Sequence, residues 1–450
     1  MPRITRRDFI RGVAAVGGLG ALSATASRAP AQTRGVTLRA LVYPYPVTKA
    51  IREMLPEYEK QTGVKVEWDE APFSEALSKQ MAELVANTDR YDFFTVSNMW
   101  LGAEAGTGQL LALDDPIAKA GSAFDWQDFM PKQRQMFSFR GRPYGIPLSS
   151  NVMMTAYRKD VFDQEGIKVP PLGTSYTHDE WLGIVKRLNK GKQQRGTTFL
   201  VNPLMAATQV WSNVLMSAGG RYFDEKMNPV FNSKEGLLAA EYLRELMNYA
   251  PEDMLRYGNT EANEAMMRGE VVTQAPQWAS RIPMVEDKEK SKVAGKVRWT
   301  TLPYAGWVSG RKVGLANNDG WAITIPKASK HQREAFEFAM WCVMKEKQTK
   351  FVTETLVPPT RASVFDRPEL HQKFVWLPVM KEQLGNTFDF PVIPEWAEVM
   401  EKVGAEMHAG WAGQYPIVKA LDRANQLVVD LLKERKYPVG TWSGAKLPWE

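Results

Sequence analysis

The chain has 450 residues, with 57 lysines and arginines against 51 acidic residues and a formal net charge of +6. Residues 1–31 contain five of the arginines and one of the acids, so the remainder carries 52 basic and 50 acidic residues and a net charge of +2. A nearly neutral chain produces no strong positive field, and this composition excludes nucleic acid or an anionic membrane as the main partner.

The first 31 residues are predicted to be an export signal. Two consecutive arginines, Arg6 and Arg7, precede an uncharged stretch over residues 12–27 that is rich in glycine, alanine, valine and leucine, and small residues follow at 29–31. A basic start, a short apolar middle and a small-residue cleavage point are typical of such signals. The arginine pair resembles the twin-arginine (Tat) signal of proteins exported in the folded state. We therefore expect the Tat machinery to be a partner.

The single cysteine is consistent with export and argues against both an intrachain disulfide and a lipid anchor. Cys342 is the single cysteine, and it lies in an apolar run that predicts a buried side chain. A disulfide within the chain is impossible. No cysteine stands near the cleavage point, so a lipid anchor is not expected. We predict a soluble mature protein in the periplasm.

Strands alternate with helices at the start of the mature chain. The residue pattern predicts strands over residues 36–42, 64–68 and 92–96, with helices over residues 49–62 and 73–87 between them. This βαβαβ order predicts an α/β fold with a parallel sheet and right-handed crossovers.

Six segments in order carry a family resemblance. They are residues 41–45, 57–66, 91–97, 144–151 with 157–162, 217–224, and 319–327. They resemble the extracellular solute-binding proteins of ABC importers, in the group that includes maltose-binding and other carbohydrate-binding proteins. Each segment alone is weak evidence for the family, but the six segments occur in the family's order and together cover nearly the whole mature chain.

The resemblance implies a two-lobe periplasmic-binding-protein fold of the type II-like kind, with a ligand cleft between lobes that are joined by crossing strands. We expect the first crossing at residues 145–148, with Gly145 and Pro147 as hinge residues. Thr177 and Glu180 predict a capping box that starts a second-lobe helix. The predicted divisions are an N-terminal lobe over residues 36–148 plus 314–358, a C-terminal lobe over 149–313 plus 359–435, and an irregular tail over 436–450.

Candidate ligand-binding residues follow predicted strands and crossings, because open α/β sheets bind ligands at the carboxyl ends of their strands. Aromatic rings match the C–H faces of sugars, and Asn, Asp and Arg match their hydroxyl groups. The stretch over residues 273–278 also resembles the family's segment that ends in a ligand-stacking Trp. For each aromatic residue, core packing is the alternative. The candidates are Tyr43, Tyr45, Ser97, Asn98, Trp100, Asn151, Gln277, Trp278, Asp319, Gly320, Trp321 and Arg361.

These observations predict a receptor that binds a carbohydrate or polyol and delivers it to the membrane permease of an ABC importer. An alternative keeps the fold but changes the ligand to an anionic solute, such as a sulfonate, phosphate ester or carboxylate, because Arg281 and Arg361 are placed near the cleft.

A Tat-exported cofactor enzyme is a remote third hypothesis. The four histidines show no metal-ligand spacing, and the chain contains neither a C-x-x-C nor a G-x-S-x-G pattern. The sequence therefore predicts no catalytic residue, no metal and no cofactor.

Overall fold

The computed structural model describes residues 35–203, 205–444 and 447. The export signal predicted over residues 1–31 lies outside these described residues, as does part of the predicted tail. Residues 436–444, at the start of that tail, contain neither helix nor strand.

Eleven strands are present in the described part of the chain: β1 (Thr37–Val42), β2 (Lys65–Glu70), β3 (Phe93–Ser97), β4 (Ser138–Phe139), β5 (Arg142–Pro143), β6 (Gly145–Arg158), β7 (Arg195–Thr198), β8 (Val271–Trp278), β9 (Val297–Thr300), β10 (Ala316–Thr324) and β11 (Thr387–Phe388). The α-helices of the same residues are α1 (Pro46–Thr62), α2 (Phe73–Ala86), α3 (Asn98–Gly106), α4 (Asp114–Phe124), α5 (Pro131–Met136), α6 (Lys159–Gln164), α7 (His178–Leu188), α8 (Met205–Ser217), α9 (Lys234–Met247), α10 (Asn259–Arg268), α11 (Ile282–Val285), α12 (Gln332–Cys342), α13 (Lys345–Lys350), α14 (Ala362–Phe365), α15 (Pro368–Lys373), α16 (Trp376–Gly385), α17 (Trp396–Trp411) and α18 (Ile417–Glu434).

The first lobe is built on the sheet β2-β1-β3-β10-β6. Strand β1 pairs in parallel with both β2 and β3, which confirms the predicted βαβαβ order. Strand β10 then pairs antiparallel with β3 on one side and with the first part of β6 on the other. The carboxyl ends of β1 and β3 therefore meet at one edge of the sheet, beside β10.

Strand β6 belongs to two sheets. Its residues from Gly145 to Val152 pair with β10, and its residues from Met153 onward pair with β8 and β9. The change of sheet thus falls between Val152 and Met153. Gly145 and Pro147, the predicted hinge residues, lie earlier, inside the first-lobe ladder.

The second lobe is built on the later part of β6 with β7, β8 and β9. Strand β8 pairs in parallel with β7 and antiparallel with β6. Helix α8 packs against α9 and α17, and α17 against α18. The predicted capping box is confirmed at the start of α7: the backbone N–H of Glu180 donates to Thr177 Oγ1 over 3.2 Å, and the Thr177 N–H donates to Glu180 Oε2 over 2.7 Å.

Both lobes have apolar cores. Cys342 is completely buried, as predicted, and the large side chains of Trp181 and Trp211 are buried as well. None of the helices in the described residues has the length and hydropathy that crossing a membrane would require.

Candidate ligand-binding site

A cavity of about 450 Å³ lies between the two lobes. The first lobe contributes residues after β1 and β3 and the start of α2. The second lobe contributes the residues before and at the starts of α8 and α10, together with the segment after β8. Strands β6 and β10, which join the lobes, add Asn151 and Asp319. The volume falls in the range of about 300–1,000 Å³ that is usual for small-molecule sites.

One side of the cavity is a cluster of five rings, here named the aromatic wall: Tyr43, Tyr45, Phe73, Trp100 and Trp321. Trp321 stacks on Tyr43 with ring centroids 4.9 Å apart, and meets Trp100 edge to face at 5.4 Å. Phe73 packs on Trp100 at 4.7 Å. Such contacts stabilise ring orientations beyond the burial of area. The wall is therefore fixed by its own packing.

The aromatic wall exists because three strands end or pair at this edge of the sheet. Tyr43 directly follows β1, and Trp321 pairs with Ser97 at the end of β3. The Ser97 hydroxyl caps α3 by accepting a hydrogen bond from the Met99 N–H over 3.3 Å. That cap places Trp100 in the first turn of α3, beside Trp321.

A buried hydrogen-bond network centred on Asn151 joins the two lobes. The Asn151 amide nitrogen donates to Asp319 Oδ2 over 2.8 Å and to the Tyr45 hydroxyl over 3.2 Å. Its amide oxygen accepts from the Ser280 N–H of the second lobe over 3.0 Å. Both amide hydrogens are committed within the protein, so Asn151 orients the groups around it.

Burial changes the acid strength of two groups in this network. It raises the pKa of Asp319 from 3.8 to about 6, and the Asn151 hydrogen bond, the Gly320 backbone and the Arg281 charge offset part of that effect. Burial also raises the pKa of Tyr45 well above its usual value, and the charge of Asp319 adds to the rise. At neutral pH the cavity therefore holds a carboxylate beside a neutral phenol.

The opposite side of the cavity is here named the polar wall: Asn202, Gln209, Gly258, Asn259, Thr260, Ser280 and Arg281. Buried polar atoms of this wall that have no hydrogen-bond partner among the described residues include Asn202 Oδ1 and Arg281 Nε. The two lobes meet where Gln209 Nε2 approaches the Met99 sulfur at 3.3 Å.

Eight residues predicted from the sequence line the cavity: Tyr43, Tyr45, Ser97, Trp100, Asn151, Trp278, Asp319 and Trp321. Three others neighbour cavity residues but do not line it. Asn98 donates to the Asn318 carbonyl, and Gln277 bonds with Asn263, Gln274 and Trp299. At Gly320, an added Cβ would lie 2.9 Å from the Ser149 carbonyl oxygen, so this glycine permits close approach of β10 and β6.

The structure does not bring Arg361 to the cavity. Its side chain is 3% exposed and donates to the carbonyl oxygens of Val343 and Phe124 over 2.6 and 2.8 Å. It also pairs with Asp128 at 3.3 Å. All of these partners belong to the region of the first lobe around α4 and α12, so the guanidinium holds that region together.

Most residues of the polar wall were not predicted from the sequence. Asn202 follows β7, so the rule that ligands bind at strand ends applied to it, but β7 was not predicted. Gly258, Asn259 and Thr260 stand at the start of α10, where no strand precedes them. Phe73 was predicted only as a helix start. Among the described residues, no group of three or more His, Cys, Asp or Glu side chains is placed to hold a metal ion.

Comparisons with known proteins identify the family. The chain is 23% identical over 406 residues to the mannitol-binding protein of Pseudomonas aeruginosa, covering 84% of this chain and 89% of that protein. It is 23% identical over 422 residues to a probable amino-acid ABC transporter periplasmic-binding protein of Sinorhizobium fredii. That match covers 90% of this chain and 93% of that protein.

The fold matches an ABC transporter solute-binding protein from Agrobacterium radiobacter K84 in complex with ribitol. The TM-score is 0.80 at 26% identity, with 88% of this chain and 99% of that chain covered. This match confirms the predicted two-lobe α/β fold. A family model for bacterial extracellular solute-binding proteins matches residues 46–349. The chain therefore belongs to the bacterial extracellular solute-binding proteins, which are receptors, as the six segments predicted.

Proposed function

We propose that this protein is the receptor of an ABC importer and that it binds a carbohydrate or polyol between its lobes. The observation that carries the proposal is the cavity of about 450 Å³ with an aromatic wall facing a polar wall. A sugar or polyol has a C–H surface that packs on rings and hydroxyl groups that bond with amides and carboxylates. Trp321 supplies the ring on which the C–H surface packs. Asp319 and Asn202 supply oxygens for hydrogen bonds with the hydroxyl groups.

Several relatives support this ligand class. One relative is named a mannitol-binding protein, and matched structures contain ribitol, D-mannitol and alpha-D-tagatose. Another relative is named a probable amino-acid binder, so an amino acid belongs in any ligand panel.

Lobe closure is the mechanism that we propose for delivery. A ligand that contacts both walls gains all of its contacts only when the walls face each other, so binding shifts the population toward the closed form. The membrane permease then recognises the two lobe surfaces in that arrangement.

We further propose that the protein reaches the periplasm by twin-arginine export and is not anchored by lipid. The basis is the Arg6-Arg7 pair before an uncharged stretch, together with the absence of cysteine near residues 29–31. Replacing both arginines by lysine is expected to leave the precursor in the cytoplasm, which fractionation and immunoblotting would measure. Unchanged export would reject this route.

Ligand identity is tested by isothermal calorimetry and thermal unfolding with ribitol, D-mannitol, D-tagatose, maltose and a mixture of amino acids. We expect at least one sugar or polyol to bind and to raise the unfolding temperature. Small-angle scattering should show a smaller radius of gyration in the complex. Binding of an amino acid alone, with no response to any sugar or polyol, would contradict the proposal.

A further inference from the structure

Residues 389–395, here named the strap, run between the lobes outside the ligand cavity. The strap follows β11, which pairs with the crossing strand β10, and it leads into α17 of the second lobe. The rings on either side of it, Phe388 and Trp396, have centroids 6.4 and 5.0 Å from that of Tyr222, which follows α8 in the second lobe. Both ends of the strap are therefore anchored by rings of the second lobe.

The middle of the strap contacts α3 of the first lobe. Gly102 and Gly106 are four positions apart, so they lie on one face of this helix. A Cβ added at Gly102 would lie 2.5 Å from the carbonyl oxygen of Ile393, and one added at Gly106 would lie 3.0 Å from Cγ of Pro394. The two glycines thus form a depression, here named the glycine notch, in which the strap is seated.

Close approach of the strap is the feature that requires glycine at these two positions. Neither Gly102 nor Gly106 has a positive φ, and glycine is less favourable than alanine inside a helix. The strap itself is stiff, because the rings of Pro391 and Pro394 fix φ at two of its seven residues. A stiff segment in a tight notch fixes the distance between the elements that it joins.

An ion pair joins the strap to the first lobe at a second point. Lys132 Nζ of α5 donates to Asp389 Oδ2 over 2.7 Å, and Asn318 Nδ2 of β10 donates to Asp389 Oδ1 over 3.0 Å. The side chains of Lys132 and Asp389 are 41% and 24% exposed, so salt should weaken their attraction. The strap is therefore attached to the first lobe by the notch and by a salt-sensitive pair.

The strap lies between two helices that line the cavity from opposite lobes. Met99 and Trp100 line it from the first turn of α3, just before the notch, and Ala397 and Glu401 line it from α17, just after the strap. The spacing of α3 and α17 sets the width of the cavity on this side. A change at the notch therefore reaches the cavity through the positions of these two helices.

We propose that seating of the strap in the glycine notch stabilises the closed arrangement of the lobes and so sets ligand affinity from outside the cavity. With the strap seated, α3 and α17 are close enough for one ligand to contact both walls. Displacement of the strap lowers the population of this arrangement, and the apparent dissociation constant rises by the same factor. The inference rests on the lobe closure of the proposed function and names a contact that controls it.

Two alanine substitutions in the notch test the inference. At Gly102 the three atoms nearest to a new methyl group all belong to the backbone of Ile393, so Gly102→Ala must displace the strap. We expect it to weaken binding at least about 30-fold, and Gly106→Ala to weaken it about threefold because the proline ring can shift. Gly183→Ala on α7, where an added Cβ meets nothing within 4 Å, is the matched control and should bind as wild type.

The ligand series distinguishes a change in closure from a change in ligand contacts. Calorimetry with ribitol, D-mannitol, D-tagatose and maltose measures each variant against every ligand that binds to the wild type. A shift in lobe population weakens all of them by one factor, within about twofold, whereas an altered contact changes their order of affinity. Scattering should show that Gly102→Ala requires correspondingly more ligand to reach the same radius of gyration.

Lys132→Met removes the ion pair and leaves the notch intact. It should weaken every ligand about threefold at low ionic strength and have little effect in 1 M salt. If Gly102→Ala does not fold, Gly106→Ala and Lys132→Met provide the test.

Folded notch variants that bind as wild type, or that weaken different ligands by different factors, overturn the inference and leave the proposed function standing. If the wild type binds an amino acid and no sugar or polyol, the proposed ligand class fails. The same variants then test the strap with that amino acid, because the notch contacts no part of the ligand.

Discussion

The aromatic wall and the polar wall of the cavity are built in different ways. Rings of the aromatic wall pack on one another at the ends of β1 and β3 and on β10, so their orientations are set by the fold. The polar wall comes from residues before and at helix starts and from the segment after β8, and it retains buried atoms without partners, such as Arg281 Nε. The rings of the first wall thus contact one another, whereas polar atoms of the second wall are not all paired within the described residues. We propose that the aromatic wall provides affinity and the polar wall provides selectivity.

Removal of the central ring should break the aromatic wall. Trp321 contacts Tyr43, Tyr45, Phe73 and Trp100. We expect Trp321→Ala to weaken polyol binding by at least about 100-fold in calorimetry, and to reduce the free energy of unfolding by about 3–5 kcal/mol because a cavity replaces a buried ring. Trp321→Phe is the control and should recover most of the stability. A folded Ala variant that binds within about threefold of wild type would show that the aromatic wall does not carry affinity.

Substitution of Arg361 should change stability and leave ligand affinity unchanged, unlike substitution of a cavity residue. It pairs with Asp128 and donates to three carbonyl oxygens in the first lobe, away from both walls. Arg361→Ala should reduce the free energy of unfolding by about 3–5 kcal/mol, because it removes a buried ion pair and three hydrogen bonds to carbonyl oxygens. Affinity per folded molecule, measured by calorimetry below the unfolding temperature, should not change. A loss of affinity without a loss of stability would return Arg361 to the ligand site.

The contrast between the walls also explains what the sequence predicted. Rings and polar groups after the strands β1 and β3 were predictable because apolar runs mark these strands and ligands bind where such strands end. Arg361 was misplaced in space because the sequence does not reveal that Asp128, more than 200 positions earlier, is its partner. Asn202 was missed because β7, the strand before it, was not predicted, whereas Thr260 was missed because tertiary packing, and no local pattern, brings the start of α10 to the cleft.

A buried acid behind the aromatic wall should control how stability varies with pH. Glu104 lies on α3, one turn after Trp100, and burial raises its pKa from 4.5 to about 8 despite the hydroxyl of Thr324. The folded protein therefore keeps a proton that the unfolded chain has lost, and the free energy of unfolding falls as pH rises between these values. Burial also raises the pKa of Asp319 from 3.8 to about 6, so the free energy of unfolding falls with pH between these values as well. Burial lowers the pKa of His178 from 6.5 to about 4, and between these values the free energy of unfolding rises with pH.

Of these three groups, Glu104 alone titrates differently between pH 6.5 and 8. We expect the free energy of unfolding of wild type to fall there by about 1.4 kcal/mol per pH unit, or roughly 2 kcal/mol in all. Glu104→Gln should remove that slope, as measured by urea unfolding at a series of pH values. Glu346→Gln, at an exposed site of α13, is the matched control. A slope that persists in Glu104→Gln would mean that another group carries it.

The smallest effect is expected at Asn151, which joins the two walls without belonging to either. Its amide ties Tyr45 and Asp319 to the Ser280 N–H of the second lobe. Asn151→Ala should weaken polyol binding about tenfold, or about 1.4 kcal/mol, because Asp319 loses its orientation and the lobes lose a contact. Asn151→Asp keeps the acceptor for Ser280 but places a second carboxylate beside Asp319, so it should weaken binding further as pH rises above about 6. If scattering shows equal closure in wild type and Asn151→Ala while affinity still falls, Asn151 acts by orienting Asp319 alone, and the polar wall closes without this tie.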